Sequence, residues 1–199
     1  MDDWKALITR FSDFGGIAHN IQYKKGQYGL GIFPKIQGEE IKIQVPDRLM
    51  INLKDVGYKN NKLFLMNAGK YPRGYAEWFN FYQQKFAYGA NAGKEISQVF
   101  TDAKKFDKET LDIALKTTLL QNINPNKPLQ LQYASKFLTA RCIDYKGKPH
   151  VFPIIELINH DYKGGRYEKS NSNEGGGITV KMKPTNEVLV AYNLSLIHI

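Results

Sequence analysis

The chain has 199 residues, of which 42% are hydrophobic and 24% are charged, and its formal net charge is +9. This length suits one domain with a sizeable core, and the proportions are those of a soluble globular protein. A single cysteine, Cys142, excludes a disulfide framework, and no cysteine or histidine cluster has zinc spacing, so we expect no metal. No apolar run approaches the ~20 residues of a membrane span, and the acidic start is unlike a signal peptide, which favours a reducing, cytoplasmic setting.

The positive charge is spread along the chain. The lysines form only short clusters, such as Lys24-Lys25 and Lys104-Lys105, and no nucleic-acid-binding module is recognisable. A solvated basic surface is therefore the favoured interpretation. Attraction to nucleic acid or to an acidic protein surface is the alternative.

A short amphipathic helix opens the chain, with Asp2 or Asp3 as its cap and Gly15-Gly16 as its end. Its apolar face consists of Trp4, Leu7, Ile8 and Phe11. Strands are predicted at 21–23, 31–33 and 41–45, and Pro46 ends the last of these because it has no N–H to donate. The glycine-rich stretch 26–31 permits close backbone approach to a ligand, but it is not G-x-G-x-x-G, which disfavours a dinucleotide fold.

From about 75 to 140 the pattern becomes helical. A dense aromatic stripe near its start is more typical of a core than of a cofactor site; it comprises Trp78, Phe79, Phe81, Tyr82 and Phe86. Asp107 caps a second helix, whose predicted apolar face holds Leu111, Ile113, Ala114, Leu119 and Leu120. A third runs from 129 to 140 with an apolar face of Leu131, Ala134, Phe137 and Leu138. It ends at Arg141, where the helix dipole favours a cation, so a purely structural arginine is one alternative.

The last sixty residues return to β signals. Lys146-Gly147 predicts a hairpin turn, and an apolar strand or helix follows at 152–158. That segment ends abruptly in Asn159-His160-Asp161, where rigid support and converging polar groups suit a small-molecule site. The alternative is that Asn159 and His160 only satisfy nearby backbone groups. A loop is predicted from Lys163 to Gly177, then strands at 178–182 and 187–192.

Four short motifs follow one another along this chain. The first is Tyr28-Gly29-Leu30-Gly31, followed by Gly38-Glu39-Glu40 and Val45-Pro46. The second is the run 139–143 around Arg141. The third combines Pro153, Glu156 and Leu157-Ile158-Asn159-His160, and the fourth is the acidic, hydrophobic and tyrosine strand Asn186-Glu187-Val188-Leu189-Val190-Ala191-Tyr192.

In order and spacing these motifs resemble the SET-domain protein methyltransferases, especially the Rubisco large-subunit methyltransferase branch. The resemblance implies an α+β, β-rich SET fold of small sheets (β-clip type) with an inserted helical subdomain. It implies an N-terminal SET part at 1–74, a helical insert at 75–140 and a C-terminal SET part with the cofactor motif at 141–193. Residues 194–199 fit no family element and resemble a non-native or truncated tail.

The resemblance also implies S-adenosylmethionine as cofactor and a lysine-bearing protein as substrate. Arg141 would face the cofactor carboxylate, Asn159 its amino-acid end and His160 its adenine, and Tyr192 would be the catalytic tyrosine. Backbone at Tyr28, Gly29 and Leu30 would line the methionine part. Cysteine-rich zinc clusters, common in histone-directed relatives, are excluded by the single cysteine, which favours a non-histone substrate.

The chain departs from the family after Tyr192. Asn193 stands where the family has glycine, and the larger helical substrate-binding domain of this branch is not in the sequence. We therefore expect weak or undetectable activity from these residues alone. The alternatives are a non-catalytic SET-like protein-binding module, a core role for Tyr192 and, less favoured, a basic nucleic-acid-binding protein.

Overall fold

A computed structural model describes residues 2–90, 98, 101–102, 105–117, 128–170 and 175–191. The α-helices in this part of the chain are α1 (Asp3–Asp13), α2 (Tyr75–Lys85), α3 (Lys108–Thr117) and α4 (Leu129–Arg141). The strands of the first half are β1 (Ile17–His19), β2 (Ile21–Gly26), β3 (Gly29–Pro34), β4 (Ile41–Val45), β5 (Ile51–Asn52), β6 (Val56–Lys59) and β7 (Lys62–Leu65). Those of the second half are β8 (Cys142–Tyr145), β9 (Lys148–Val151), β10 (Asn159–Gly165), β11 (Glu168–Lys169), β12 (Ile178–Met182) and β13 (Leu189–Val190).

The strands form small sheets rather than one large one. A four-stranded sheet has the order β1-β4-β12-β11 and a three-stranded sheet the order β5-β9-β8, while β2-β3, β6-β7 and β10-β13 form pairs. These small sheets beside helices confirm the predicted α+β class. Pairing of β4 with β12 runs from Ile41 opposite Met182 to Val45 opposite Ile178, so segments of the first and last quarters of the chain share one sheet.

The helices α1 and α2 pack through the aromatic stripe. Asp2 caps α1 by accepting a hydrogen bond from the Trp4 amide at 3.0 Å, as predicted. Trp78 stacks on Tyr75 and Tyr82, and its indole N–H donates to the Leu7 carbonyl at 3.0 Å. Four members of the stripe are core, as the sequence predicted, since Trp78, Phe79, Tyr82 and Phe86 are at most 9% exposed; Phe81 is only partly buried against them.

The other helices agree with the sequence in part. Asp107 caps α3 by accepting from the Thr110 amide at 2.9 Å. Ile113, predicted to lie on the apolar face of α3, is 57% exposed, while the side chains of Leu111, Ala114, Leu119 and Leu120 lie outside the described residues. On α4 the residues Ala134, Phe137 and Leu138 are buried as predicted, but Leu131 is 49% exposed.

Two predictions about the C-terminal segments were wrong. The predicted loop 163–177 contains two strand segments: residues 163–165 extend β10 along β13, with Gly165 paired to Val190, and Glu168–Lys169 form β11 against β12. A Cβ on Gly164 would lie 2.6 Å from the Val190 backbone, so its glycine permits close strand approach rather than a turn. The last strand covers only Leu189–Val190 of the predicted 187–192, and Tyr192 lies outside the described residues.

None of the helices in the described ranges has both the length and the apolar composition needed to cross a bilayer. Within the same ranges, no three His, Cys, Asp or Glu side chains are grouped so that they could hold a metal ion.

Candidate active site

A sharp turn before β10 organises the candidate site. Ile154 is fully buried and has φ 71° and ψ −49°, a conformation that costs a β-branched residue about 1–3 kcal/mol. Its amide donates to the Tyr82 hydroxyl at 3.1 Å, which helps to hold the turn. A single 3₁₀ turn, Ile155–Leu157, follows. It directs Glu156 into the core and brings Asn159 to the first position of β10.

Asn159 connects three distant segments. Its Nδ2 atom donates to the Leu30 carbonyl at 3.3 Å and to Glu187 Oε1 at 2.6 Å. Leu30 belongs to β3, and Glu187 lies just before β13. Since a carbonyl and a carboxylate can only accept, these two bonds fix the orientation of the Asn159 amide.

The β2–β3 hairpin forms one wall of the site. Its turn carries Tyr28, which is 50% exposed, and Gly29, which has φ +94° and open space where a side chain would stand. Gly31 is closely covered: a Cβ there would overlap Glu187 Oε1 and lie 2.6 Å from Asn159 Nδ2. The hairpin backbone thus touches the Asn159 amide directly at Leu30 and Gly31.

Arg141 ends α4 and reaches the turn before β10. Its NH1 atom donates to the Glu156 carbonyl at 2.7 Å, and its guanidinium lies 4.9 Å from the centre of the Phe137 ring. These two contacts hold a half-buried cation beside the Asn159 segment. An arginine held by one N–H keeps further donors for a second acceptor.

Glu156 is a buried carboxyl on the same turn. Its Oε1 atom accepts from the Gln83 amide at 2.8 Å. Burial raises its pKa to about 7, although the charge of Arg141 and the hydrogen-bond donors of Tyr82 and Gln83 act in the opposite direction. Because it points into the core, it supports the turn from inside.

His160 follows Asn159 on β10 and lies against Val190 of β13. Its Nδ1 atom is 3.1 Å from the Val190 carbonyl, and because that carbonyl can only accept, Nδ1 carries the proton. Burial lowers its pKa to about 4, with the charge of Arg141 contributing in the same direction, so the ring is neutral at pH 7. Parallel pairing of Asn159 with Leu189 and of His160 with Val190 places the residues just before Tyr192 beside this pair.

The structure therefore brings together most of the residues that the motifs singled out. Leu30 and Asn159 are in direct contact, Arg141 holds the adjoining turn, and His160 follows on β10. Gly29 lies beside Leu30, while Tyr28 is on the exposed hairpin turn. Sequence reasoning assigned no role to Glu187, although it is the acidic residue of the fourth motif.

Two surface cavities lie elsewhere. One of about 430 Å³ lies between α1 and α2 and includes Leu7, Trp78 and Phe81, and another of about 210 Å³ lies between the β6–β7 hairpin and α4. Neither is lined by any of the predicted site residues.

No protein-family model matches the chain, and a search of curated proteins found no match. Solved structures do match it. The SET domain of LSMT bound to lysine and AdoHcy is 15% identical at a TM-score of 0.48, over 96% of this chain and 54% of that chain.

Rubisco LSMT bound to AdoMet is 16% identical at a TM-score of 0.49, and the same protein bound to sinefungin and monomethyllysine is 15% identical at 0.43. Each of these two matches covers 98% of this chain and 53% of the solved one, so the chain spans about half the length of the structures it matches. Similarity at this level carries no argument about function.

Proposed function

We propose that this chain is the SET domain of an S-adenosylmethionine-dependent protein methyltransferase that acts on the lysine ε-amine of a non-histone protein. The observation that supports it is the junction of Leu30, Asn159 and Glu187, with the Arg141 guanidinium on the adjoining turn. The first, third and fourth motifs meet at that junction, and the second motif, with Arg141, adjoins it. An assembly of this kind is unexpected if each motif only stabilises its own element.

The residues present fit the amino-acid end of such a cofactor. With both Asn159 amide hydrogens directed at acceptors, its Oδ1 atom is left to accept from an ammonium group. The remaining donors of Arg141 suit a carboxylate. Space beside Gly29, where a Cβ would meet nothing within 4 Å, allows a ligand to approach the hairpin backbone.

The cofactor supplies an activated methyl group, so the protein contributes orientation and electrostatics. Arg141, Asn159 and the hairpin backbone at Tyr28, Gly29 and Leu30 would bind and orient it, and His160 would meet its adenine. Tyr192 would hold the substrate amine in line with the methyl group and stabilise charge there through its hydroxyl. Only a neutral amine attacks, so the channel that receives the lysine must exclude water.

The cofactor proposal is tested in two steps. S-adenosylhomocysteine is first titrated into the protein by calorimetry, and a lysate is then incubated with the protein and methyl-labelled S-adenosylmethionine to find labelled acceptors. We expect saturable binding and, because activity of these residues alone should be weak, little label, which should be on lysine. Absence of cofactor binding would favour the non-catalytic module. Nucleic-acid binding that weakens steeply with salt, without cofactor binding, would favour the basic nucleic-acid-binding alternative.

The role of Tyr192 is tested by Tyr192→Phe. We expect methyl transfer to fall by about 100-fold or more, because a preorganised hydroxyl at the reacting atoms is lost, while S-adenosylhomocysteine binding stays within about twofold. Tyr162→Phe is a matched control, since Tyr162 is 83% exposed. An unchanged transfer rate in Tyr192→Phe with intact binding would remove the catalytic assignment.

A further inference from the structure

The carboxylate of Glu187 lies against the β2–β3 hairpin and Asn159 at once. Its Oε1 atom accepts from Asn159 Nδ2 at 2.6 Å. Both of its oxygens rest on the hairpin, where glycines leave room: a Cβ on Gly26 would lie 2.8 Å from Oε2, and one on Gly31 would overlap Oε1. Next to it, the Val188 amide donates to the Ile32 carbonyl at 2.8 Å, which fixes the backbone that carries the carboxylate.

This contact decides which end of the Asn159 amide faces the site. An amide can turn over and exchange its donor and acceptor ends at little steric cost. Opposite a carboxylate, however, only the NH₂ end forms a hydrogen bond, and one to an ionised acceptor is short and strong. The Leu30 carbonyl, at 3.3 Å, favours the same orientation but more weakly because it is neutral and farther away.

We propose that Glu187 is a positioning residue that holds Asn159 with its Oδ1 atom toward the ligand and so selects ligands with an ammonium group. This inference rests on the proposed function and extends it to a residue that does not touch the cofactor. Gly31 is part of the same arrangement, because any side chain there would displace the Glu187 carboxylate or the Asn159 amide.

The first test is Glu187→Gln, which preserves shape but lets the side chain meet either end of the Asn159 amide. Calorimetry with S-adenosylhomocysteine and with 5′-methylthioadenosine, which lacks the amino-acid end, separates orientation from general damage. We expect the Kd for S-adenosylhomocysteine to rise about tenfold and that for methylthioadenosine to stay within about twofold. Glu168→Gln removes an exposed carboxylate on β11 and is the matched control.

The second test is Gly31→Ala, alone and with Glu187→Ala. The φ angle of Gly31 is not in the left-handed region, so alanine introduces only the steric overlap. We expect Gly31→Ala to weaken S-adenosylhomocysteine binding, and the double variant to lose less than the sum of the two single losses. The overlap with the carboxylate is then gone, and only the overlap with Asn159 Nδ2 remains. Gly69→Ala, at a glycine with open space around it, controls for the added methyl group.

Three results would overturn the proposal. They are unchanged S-adenosylhomocysteine binding in Glu187→Gln, equal weakening of both nucleosides, and additive losses in the double variant. If the wild-type protein bound neither nucleoside, the proposed function itself would fail and this inference with it.

Discussion

Under the proposed function, Arg141 is a single residue that serves both structure and site. The helix-end position predicted a cation that stabilises the dipole, and the structure adds a bond to the Glu156 carbonyl and stacking on Phe137. Those contacts use only part of the guanidinium. They orient the rest, which is what a carboxylate-binding arginine requires.

Replacing Arg141 by alanine should weaken S-adenosylhomocysteine binding at least tenfold, because a charge-assisted, two-point contact is lost. Loss of the bond to the Glu156 carbonyl should also lower the free energy of unfolding by about 1–2 kcal/mol. Calorimetry and denaturant unfolding measure the two effects separately. Arg73→Ala, at an exposed arginine, is the control, and an unaltered dissociation constant in Arg141→Ala would leave the arginine a purely structural role.

Among the secondary-structure elements, the pairing of β10 with β13 determines which residues lie beside Asn159 and His160. It is the parallel pair among the described strands, and it aligns Asn159 and His160 with the residues just before Tyr192. Gly164 permits it, since the Val190 backbone occupies the space that a side chain would need. The Ala191 amide also donates to the Gly165 carbonyl at 2.8 Å, which extends the contact toward Tyr192.

Gly164→Ala should force these two strands apart. The φ angle of Gly164 is not in the left-handed region, so the cost is steric, and we expect the free energy of unfolding to fall by about 1–3 kcal/mol. Denaturant unfolding measures the loss. Under the proposed function, the rate of methyl transfer should fall by a larger factor than the folded fraction, because the β13 backbone that leads to Tyr192 would shift. If Gly164→Ala behaved like Gly69→Ala, the strand contact would not matter for either property.

At the scale of the whole molecule, a buried carboxyl and a half-buried imidazole give stability opposite pH dependences. Glu156 has its pKa raised from 4.5 to about 7, so the folded state binds the extra proton and stability falls as pH rises through that interval. His160 has its pKa lowered from 6.5 to about 4, so the unfolded state binds the extra proton and stability rises with pH there. The two contributions oppose each other between pH 4.5 and 6.5, and above that only the loss from Glu156 continues.

Glu156→Gln should expose this compensation. The amide of the variant does not titrate, so it avoids the loss that the wild type shows as pH rises. A one-proton difference between the folded and unfolded states contributes about 1.4 kcal/mol for each pH unit. The unfolding free energy of the variant minus that of the wild type should therefore increase by about 3 kcal/mol between about pH 4.5 and about pH 8. Denaturant unfolding across that range measures the gain. Glu77→Gln, at an exposed carboxylate, should show no such trend, and a pH-independent difference for Glu156→Gln would disprove the raised pKa.

Local patterns in the sequence were sufficient for much of the fold. The cap at Asp2, the hairpin turn at Lys146-Gly147 and the aromatic core of α2 follow from spacing and residue type, because these features depend on neighbours within a few positions. The motifs around Leu30, Arg141 and Asn159 were readable for the same reason. Periodicity predicted burial wrongly for Leu131 and Ile113. Both have the spacing of an apolar helix face, but they lie exposed, and spacing alone does not say whether another element covers that face.

Only the tertiary structure decided how the distant pieces meet. Asn159 bonds a carbonyl 129 positions earlier, β4 pairs with β12 across the chain, and Gly164 belongs to a strand rather than a loop. Residue order specifies which face of an element is apolar and where it ends. It does not specify which other element covers that face, because that choice depends on packing the whole chain at once. The role we propose for Glu187 comes from this second kind of information.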